Sequence, residues 1–169
     1  MAVYSEIISD EMILSSIPTK SKNILIVACG GCMNESLAFK NNSPIFVTEN
    51  DELVPYASKS EAERIMRFLS DHGFSVRAKT IRDGMPVLCI YSEEYQFEFC
   101  EKSFVPDAVL ALCCEAGILG LGIRFVVPVI PITQQLGYLA YTYKDSAGKR
   151  NIIRERSKAI FFKKVGGIQ

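Results

Sequence analysis

Two uninterrupted apolar segments, residues 24–28 and 108–112, dominate the hydrophobic pattern of this chain. Such segments are typical of parallel strands that are covered on both faces of a sheet. Residues 44–47 form a shorter apolar run, and residues 74–81 alternate between apolar and polar side chains. Residues 126–132 predict a further strand, whose prolines place it near an edge or at strand ends.

Helices are predicted between these strands. In the clearest of them, Ser60 and Glu63 are placed to begin the helix and Gly73 is placed to end it. Shorter helical patterns over residues 34–39 and 116–122 follow the two buried strands. Strand, helix and strand repeated with right-handed crossovers predict an α/β fold with a three-layer, mainly parallel, Rossmann-like sheet.

Composition divides the chain into three segments. Residues 1–22 are predicted to be an N-terminal arm, either an appended helix or a dimerising element, and residues 23–143 the α/β domain that carries the cysteines. Residues 144–169 are basic and are predicted to pack on the same domain, with an amphipathic helix over residues 151–162. A solvated helix face is the simpler explanation of this charge, and an anionic ligand or acidic partner is the alternative.

The overall charge and hydropathy exclude several classes of protein. The 169 residues include 19 Lys+Arg and 19 Asp+Glu, so the net charge is zero and no nucleic-acid partner is expected. No apolar stretch is long enough for a membrane span. Glu6, Asp10 and Glu11 stand where a secretory signal would need a basic start and an apolar core. We therefore expect a cytoplasmic protein, in which cysteines remain reduced.

Cysteines end both of the buried strands. Cys29 and Cys32, separated by two glycines, follow the first strand, and Cys113 and Cys114 follow the second. Because the carboxyl ends of neighbouring parallel strands meet at one crevice, we expect these thiols to form one site. The glycines remove Cβ atoms that would crowd the turn, which lets both sulfurs face the same side.

Not all of the cysteines are expected to be ligands. Adjacent residues of a strand face opposite sides, so one of Cys113 and Cys114 is predicted to enter the site and the other to join the core. Cys100 is a candidate fourth ligand. Cys89 is predicted to be a buried structural thiol in a strand over residues 87–91.

The sequence offers few residues for catalysis or ligand binding that does not use cysteine. His72 is the only histidine and lies at a predicted helix end, which disfavours histidine-dependent nucleophilic sites. No nucleotide-binding fingerprint is complete. Three hypotheses remain: a metal-binding protein, a thiol–disulfide oxidoreductase that uses Cys29 and Cys32, and an interaction module whose cysteines are structural. No catalytic residue is assigned, and we do not expect the chain to be an enzyme on its own.

The order of these motifs resembles the C-terminal domain associated with bacterial and archaeal methylenetetrahydrofolate reductases. The motifs that carry the resemblance lie over residues 24–32, 60–76, 107–117, 129–133 and 136–137. The family domain occurs fused to the reductase or as a separate partner subunit, and its cysteines are implicated in binding zinc or an iron–sulfur centre. The resemblance implies an accessory role in folate-dependent one-carbon metabolism, with a larger enzyme as partner; a homodimer is left open.

By motif position, the resemblance carries ligand roles over to Cys29, Cys32 and one of Cys113 and Cys114. Two features depart from the family pattern. Glu35 and Ser36 stand where an additional cysteine is expected, and the basic tail lacks a terminal cysteine-rich segment. A single tetrahedral thiolate site, completed by Cys100 or an exogenous ligand, therefore fits better than a full iron–sulfur cluster, and zinc is the expected metal.

Overall fold

The computed structural model describes residues 1–81, 88–89 and 101–163. These residues form three sheets and four α-helices. The strands are β1 (Ala2–Ile7), β2 (Asn23–Cys29), β3 (Phe46–Glu49), β4 (Glu52–Pro55), β5 (Ser75–Ile81), β6 (Ala108–Leu112), β7 (Val129–Pro131), β8 (Thr133–Ala140), β9 (Tyr143–Ser146), β10 (Lys149–Ile152) and β11 (Lys158–Phe161). The helices are α1 (Asp10–Ser16), α2 (Cys32–Asn41), α3 (Ala57–Asp71) and α4 (Glu115–Arg124).

The parallel sheet lies in the main core and has the strand order β5-β2-β6-β7. Its two inner strands, β2 and β6, are the apolar segments of the sequence, and their apolar residues are fully buried. Ala28 of β2 lies opposite Leu112 of β6 in a parallel register. Because the two strands run in the same direction and end within one residue of each other, the segments that follow them begin side by side.

The other two sheets are antiparallel, with strand orders β1-β8-β11 and β4-β3-β10-β9. Close strand contact explains one glycine of β8. A Cβ atom on Gly137 would lie 2.0 Å from the carbonyl oxygen of Ile160 in β11, so no larger residue fits without displacing backbone.

The predicted three-layer, mainly parallel, Rossmann-like sheet is therefore wrong. The described residues form a mixed α/β structure in which only one of three small sheets is parallel. The buried runs of β2 and β6 indicate a parallel sheet, but they say nothing about short strands elsewhere in the chain. Those strands are partly exposed and pair antiparallel, and β8, the longest of them, was not predicted.

The two terminal segments contribute strands to the antiparallel sheets. Residues 1–22 contain β1, which pairs with β8, followed by the short helix α1. The amphipathic helix expected over residues 151–162 is absent: the chain there completes β10, makes a 3₁₀ turn over Arg154–Arg156 and forms β11. A helix of this length with few buried side chains is marginal in water, whereas pairing of β10 with β3 and β9, and of β11 with β8, gives this segment tertiary contacts.

Helix α2 is fixed to its surroundings by a buried amide. The side chain of Asn34 is fully buried, donates a hydrogen bond to the carbonyl of Ile45 at 2.7 Å and accepts one from the backbone N–H of Ser58 at 2.9 Å. These bonds tie the first turn of α2 to the segment before β3 and to the start of α3. Among the described residues, no helix combines the length and the apolar character that crossing a membrane would require.

Candidate functional site

The structure brings two of the predicted site cysteines into contact. Cys32 is the first residue of α2, and Cys114 is the residue that precedes α4. The parallel register of β2 and β6 places these two helix starts next to each other, although the cysteines are far apart in sequence. The two thiols are hydrogen-bonded to each other.

Cys114 is placed to carry a negative charge. The hydrogen bond from the Cys32 thiol, together with the backbone N–H groups of Ala116, Gly117 and Cys114 itself, lowers the pKa of Cys114 to about 6. Burial opposes this effect but does not overcome it. These amides belong to the N-terminus of α4, where the unpaired N–H groups of a helix favour an anion. Cys114 is therefore a thiolate at neutral pH.

Cys32 is the protonated member of the pair. Its hydrogen bond to Cys114 is the largest cause of a raised pKa, and burial and the carboxylate of Glu35 raise it further. The hydroxyl of Tyr141 donates a short hydrogen bond to Glu35, which holds this carboxylate one helical turn from Cys32. The two sulfurs thus share one proton, with Cys32 as donor and Cys114 as acceptor.

The other member of each cysteine pair is more deeply enclosed. Cys29 is 5 % exposed, its sulfur accepts a hydrogen bond from the N–H of Gly31 at 3.4 Å, and burial raises its pKa to about 11. Cys113 is fully buried, and burial raises its pKa as well. A Cβ atom on Gly117 would lie only 2.9 Å from the Cys113 sulfur, so Cys113 packs beneath α4. Cys114, and not Cys113, is the neighbour of Cys32.

The remaining two cysteines are Cys89 and Cys100. Cys89 is exposed, so its prediction as a buried strand thiol is wrong. The raised pKa of Cys89 has burial as its larger cause and the charge of Cys114 as its second, so this sulfur lies within electrostatic reach of the pair. Cys100, the candidate fourth ligand, lies outside the described residues, as does most of the strand expected over residues 87–91.

The donor set fits part of a metal site. In the chain as far as it is described, no three His, Cys, Asp or Glu side chains are grouped closely enough to hold a metal ion. Cys32 and Cys114 supply two soft sulfur donors in contact, and one of them is already ionised. Two thiolates are half of a tetrahedral zinc site. Cys29 and Cys113, the other thiols of the predicted set within the described residues, both lie within electrostatic reach of Cys114.

Sequence reasoning missed the Glu35–Tyr141 pair. Glu35 lies three residues after Cys32 on α2, a spacing that places two side chains on one helix face, so helical periodicity could have associated them. Tyr141 follows β8 and is 106 residues away from Glu35. No local pattern indicates that contact, because it depends on how the antiparallel sheet packs on α2.

Comparisons of the chain with protein-family models, with curated proteins and with solved structures found no match. The functional interpretation therefore depends on the site itself and on the motif resemblance.

Proposed function

We propose that this protein is an accessory metal-binding protein, with Cys32 and Cys114 as ligands and zinc as the preferred ion. The observation that supports this proposal is the thiol–thiolate contact between the starts of α2 and α4. Two sulfurs that share a hydrogen bond face each other, so both can coordinate one cation placed between them. Cys29 is the third candidate ligand, and Cys100 or an exogenous donor would complete four-fold coordination.

The protonation state of the pair favours binding of a cation. A metal ion must displace the protons of its thiol ligands, so affinity depends on how many protons are bound beforehand. Because Cys114 is already a thiolate at neutral pH, the pair releases one proton and not two. When bound, zinc supplies a fixed positive charge that compensates the two adjacent thiolates. The chain's own contribution is to position both sulfurs on rigid helix starts and to enclose them.

The placement of other polar groups supports an accessory role. His72 lies at the end of α3, just before β5 begins, and its Nδ1 contacts the carbonyl of Phe68 at 2.8 Å. Since β5 runs parallel to β2, this end of α3 lies at the opposite edge of the sheet from the thiols. The histidine therefore cannot serve as a proton donor or acceptor at the site. The motif resemblance supports a larger enzyme of one-carbon metabolism as the partner.

Metal analysis tests the ligand assignment. Protein purified without oxygen or added metal should contain about one metal equivalent per chain, and the metal-free protein should take up zinc with the same stoichiometry. Cys32→Ser and Cys114→Ser should each abolish most of this binding. Cys113→Ala is the matched control, because its sulfur is adjacent in sequence but packs beneath α4. Equal loss in the control, with circular dichroism showing that all variants fold, would overturn the assignment, as would the absence of any zinc binding.

The accessory role has a separate test. Purification of the protein from its native cell should recover it with a larger enzyme, in a complex that weakens as salt is raised if charged surfaces contribute. The isolated chain should reduce neither folates nor disulfide substrates catalytically. Recovery of a free chain that performs either reaction with turnover would replace the accessory role by an enzymatic one.

A further inference from the structure

We propose that Cys32 and Cys114 also form a reversible intramolecular disulfide, so that oxidation and metal binding compete for the same two sulfurs. The competition rests on the proposed metal-binding function, whereas formation of the disulfide does not. The cysteine spacing had indicated Cys29 as the redox partner of Cys32. The structure assigns Cys114 to that position, because the Cys32 thiol is hydrogen-bonded to Cys114.

The arrangement of strands and helices holds the two sulfurs together. Cys32 follows β2 by a short turn, Cys114 is the second residue after β6, and these strands are paired neighbours in which Leu112, the last residue of β6, lies opposite Ala28. A disulfide needs its two Cα atoms within about 4.4–6.8 Å of each other. Both cysteines lie outside the strands, at the starts of α2 and α4, so side-chain rotation and movement of these helix starts can close the bond while the strand pairing stays unchanged.

The neighbouring thiols are less suited to this bond. The Cys29 sulfur accepts its hydrogen bond from the Gly31 N–H inside its own turn and is almost fully enclosed. The Cys113 sulfur is packed against Gly117 in the core. Cys32 is the more accessible of the four, being half-buried, so it offers the route by which a small oxidant reaches the pair.

The oxidant we assign is a low-molecular-weight disulfide of the glutathione type. One protein thiolate attacks a sulfur of this reagent, the reagent's S–S bond breaks, and one reagent thiolate leaves. The second protein sulfur then attacks the mixed disulfide, forms the Cys32–Cys114 bond and releases the second reagent thiolate. The proton initially shared by the pair leaves with one of the released reagent molecules. The protein loses two electrons, and the reagent disulfide gains them as one thiol and one thiolate, which is protonated by solvent.

Oxidation should expel the metal ion. A sulfur engaged in a disulfide is no longer a thiolate and cannot bind zinc as one, so a closed Cys32–Cys114 bond removes both proposed ligands at once. Conversely, a bound cation occupies the electron pairs with which the thiolates would attack an oxidant. The metal content of the protein would therefore report the redox state of its surroundings.

Peptide mapping can identify the bond directly. Trypsin leaves Cys29 and Cys32 together in the peptide of residues 23–40, and Cys113 and Cys114 together in the peptide of residues 103–124. Metal-free protein equilibrated with reduced and oxidised glutathione should yield these two peptides joined by a disulfide, and a reductant should separate them. An internal bond within either peptide, or only protein–glutathione mixed disulfides, would overturn the proposal.

Variants distinguish the four sulfurs. Cys29→Ala and Cys113→Ala should retain the joined peptides. Cys32→Ala and Cys114→Ala should abolish them and leave the remaining thiol as a mixed disulfide with glutathione, because the attacking or resolving partner is missing. Loss of the joined peptides in Cys113→Ala but not in Cys114→Ala would show that the wrong member of the pair was assigned.

Zinc separates this proposal from the metal-binding proposal. Preloading the protein with zinc should slow formation of the joined peptides in proportion to the metal-bound fraction, and oxidation should release the metal to a chromogenic chelator. If the disulfide forms but the protein does not bind zinc, the disulfide proposal stands and the metal-site proposal is overturned. Zinc binding without any joined peptides would do the reverse, and zinc that remains bound after the disulfide closes would refute the competition.

Discussion

Acidification should destabilise the reduced, metal-free protein through the ionisation of Cys114. In the folded chain the pKa of this thiol is lowered to about 6, chiefly by the hydrogen bond from Cys32, whereas an unfolded cysteine titrates near about 8.5. A group whose pKa is depressed by folding stabilises the protein fully above its unfolded pKa. The stabilisation is lost as the pH falls through the folded value, so unfolding becomes easier between about pH 8.5 and pH 6.

The pKa shift of Cys114 sets an upper bound on how much the free energy of unfolding can change with pH. Folded and unfolded states differ by up to one bound proton at Cys114 over about 2.5 pH units, and each unit corresponds to about 1.36 kcal/mol, which gives an upper bound of about 3.4 kcal/mol. The pair is open to water through the half-buried Cys32, so we reduce the expectation to about 1–2 kcal/mol. Above about pH 8.5 the sign reverses, because the pKa values of Cys29, Cys32 and Cys113 are raised in the folded chain, which then holds protons that the unfolded chain has lost.

Urea unfolding measured at a series of pH values under reducing conditions with a chelator is the assay. The free energy of unfolding should rise from pH 6, reach a maximum near about pH 8.5 and then fall. Cys114→Ser should flatten the rising part, whereas Cys113→Ala should keep it. A rising part of equal slope in Cys114→Ser, or an ultraviolet thiolate titration of the native protein with no midpoint near 6, would refute the reasoning.

Three further predictions concern the elements that position the site, each measured by urea unfolding. Gly117→Ala should cost about 1–3 kcal/mol, because the new Cβ lies 2.9 Å from the Cys113 sulfur. Gly122→Ala on the same helix meets no atom within 4 Å and should be neutral or stabilising by up to about 1 kcal/mol. Equal effects of the two substitutions would contradict this packing. Asn34→Ala should cost about 1–3 kcal/mol, because it leaves the buried N–H of Ser58 unpaired and removes one of the two hydrogen bonds to the Ile45 carbonyl, and an unchanged midpoint would show that α2 is not held there. Gly137→Ala should destabilise the protein by more than about 2 kcal/mol, since its Cβ would overlap a carbonyl oxygen of β11, and a cost below that of Gly117→Ala would place β11 elsewhere.

The sequence alone was sufficient to predict the main strands and helices at the centre of the protein. Uninterrupted apolar residues predicted β2 and β6 as buried parallel strands, and helical patterns predicted α2, α3 and α4; the structure confirms these elements. Their cysteines could be associated because parallel neighbours end at the same edge of a sheet. Local patterns carry this information because burial on both faces and helical periodicity are written in consecutive residues.

Only the tertiary structure determined which cysteines meet and which strands pair. Whether Cys113 or Cys114 meets Cys32 depends on where β6 stops and α4 starts, since one residue of shift exchanges the two faces. The antiparallel sheets were not predicted, because strands such as β1 and β8 pair with each other across more than a hundred positions of the sequence. Residue patterns report how deeply a segment is buried, but the identity of its neighbour is a property of the folded chain.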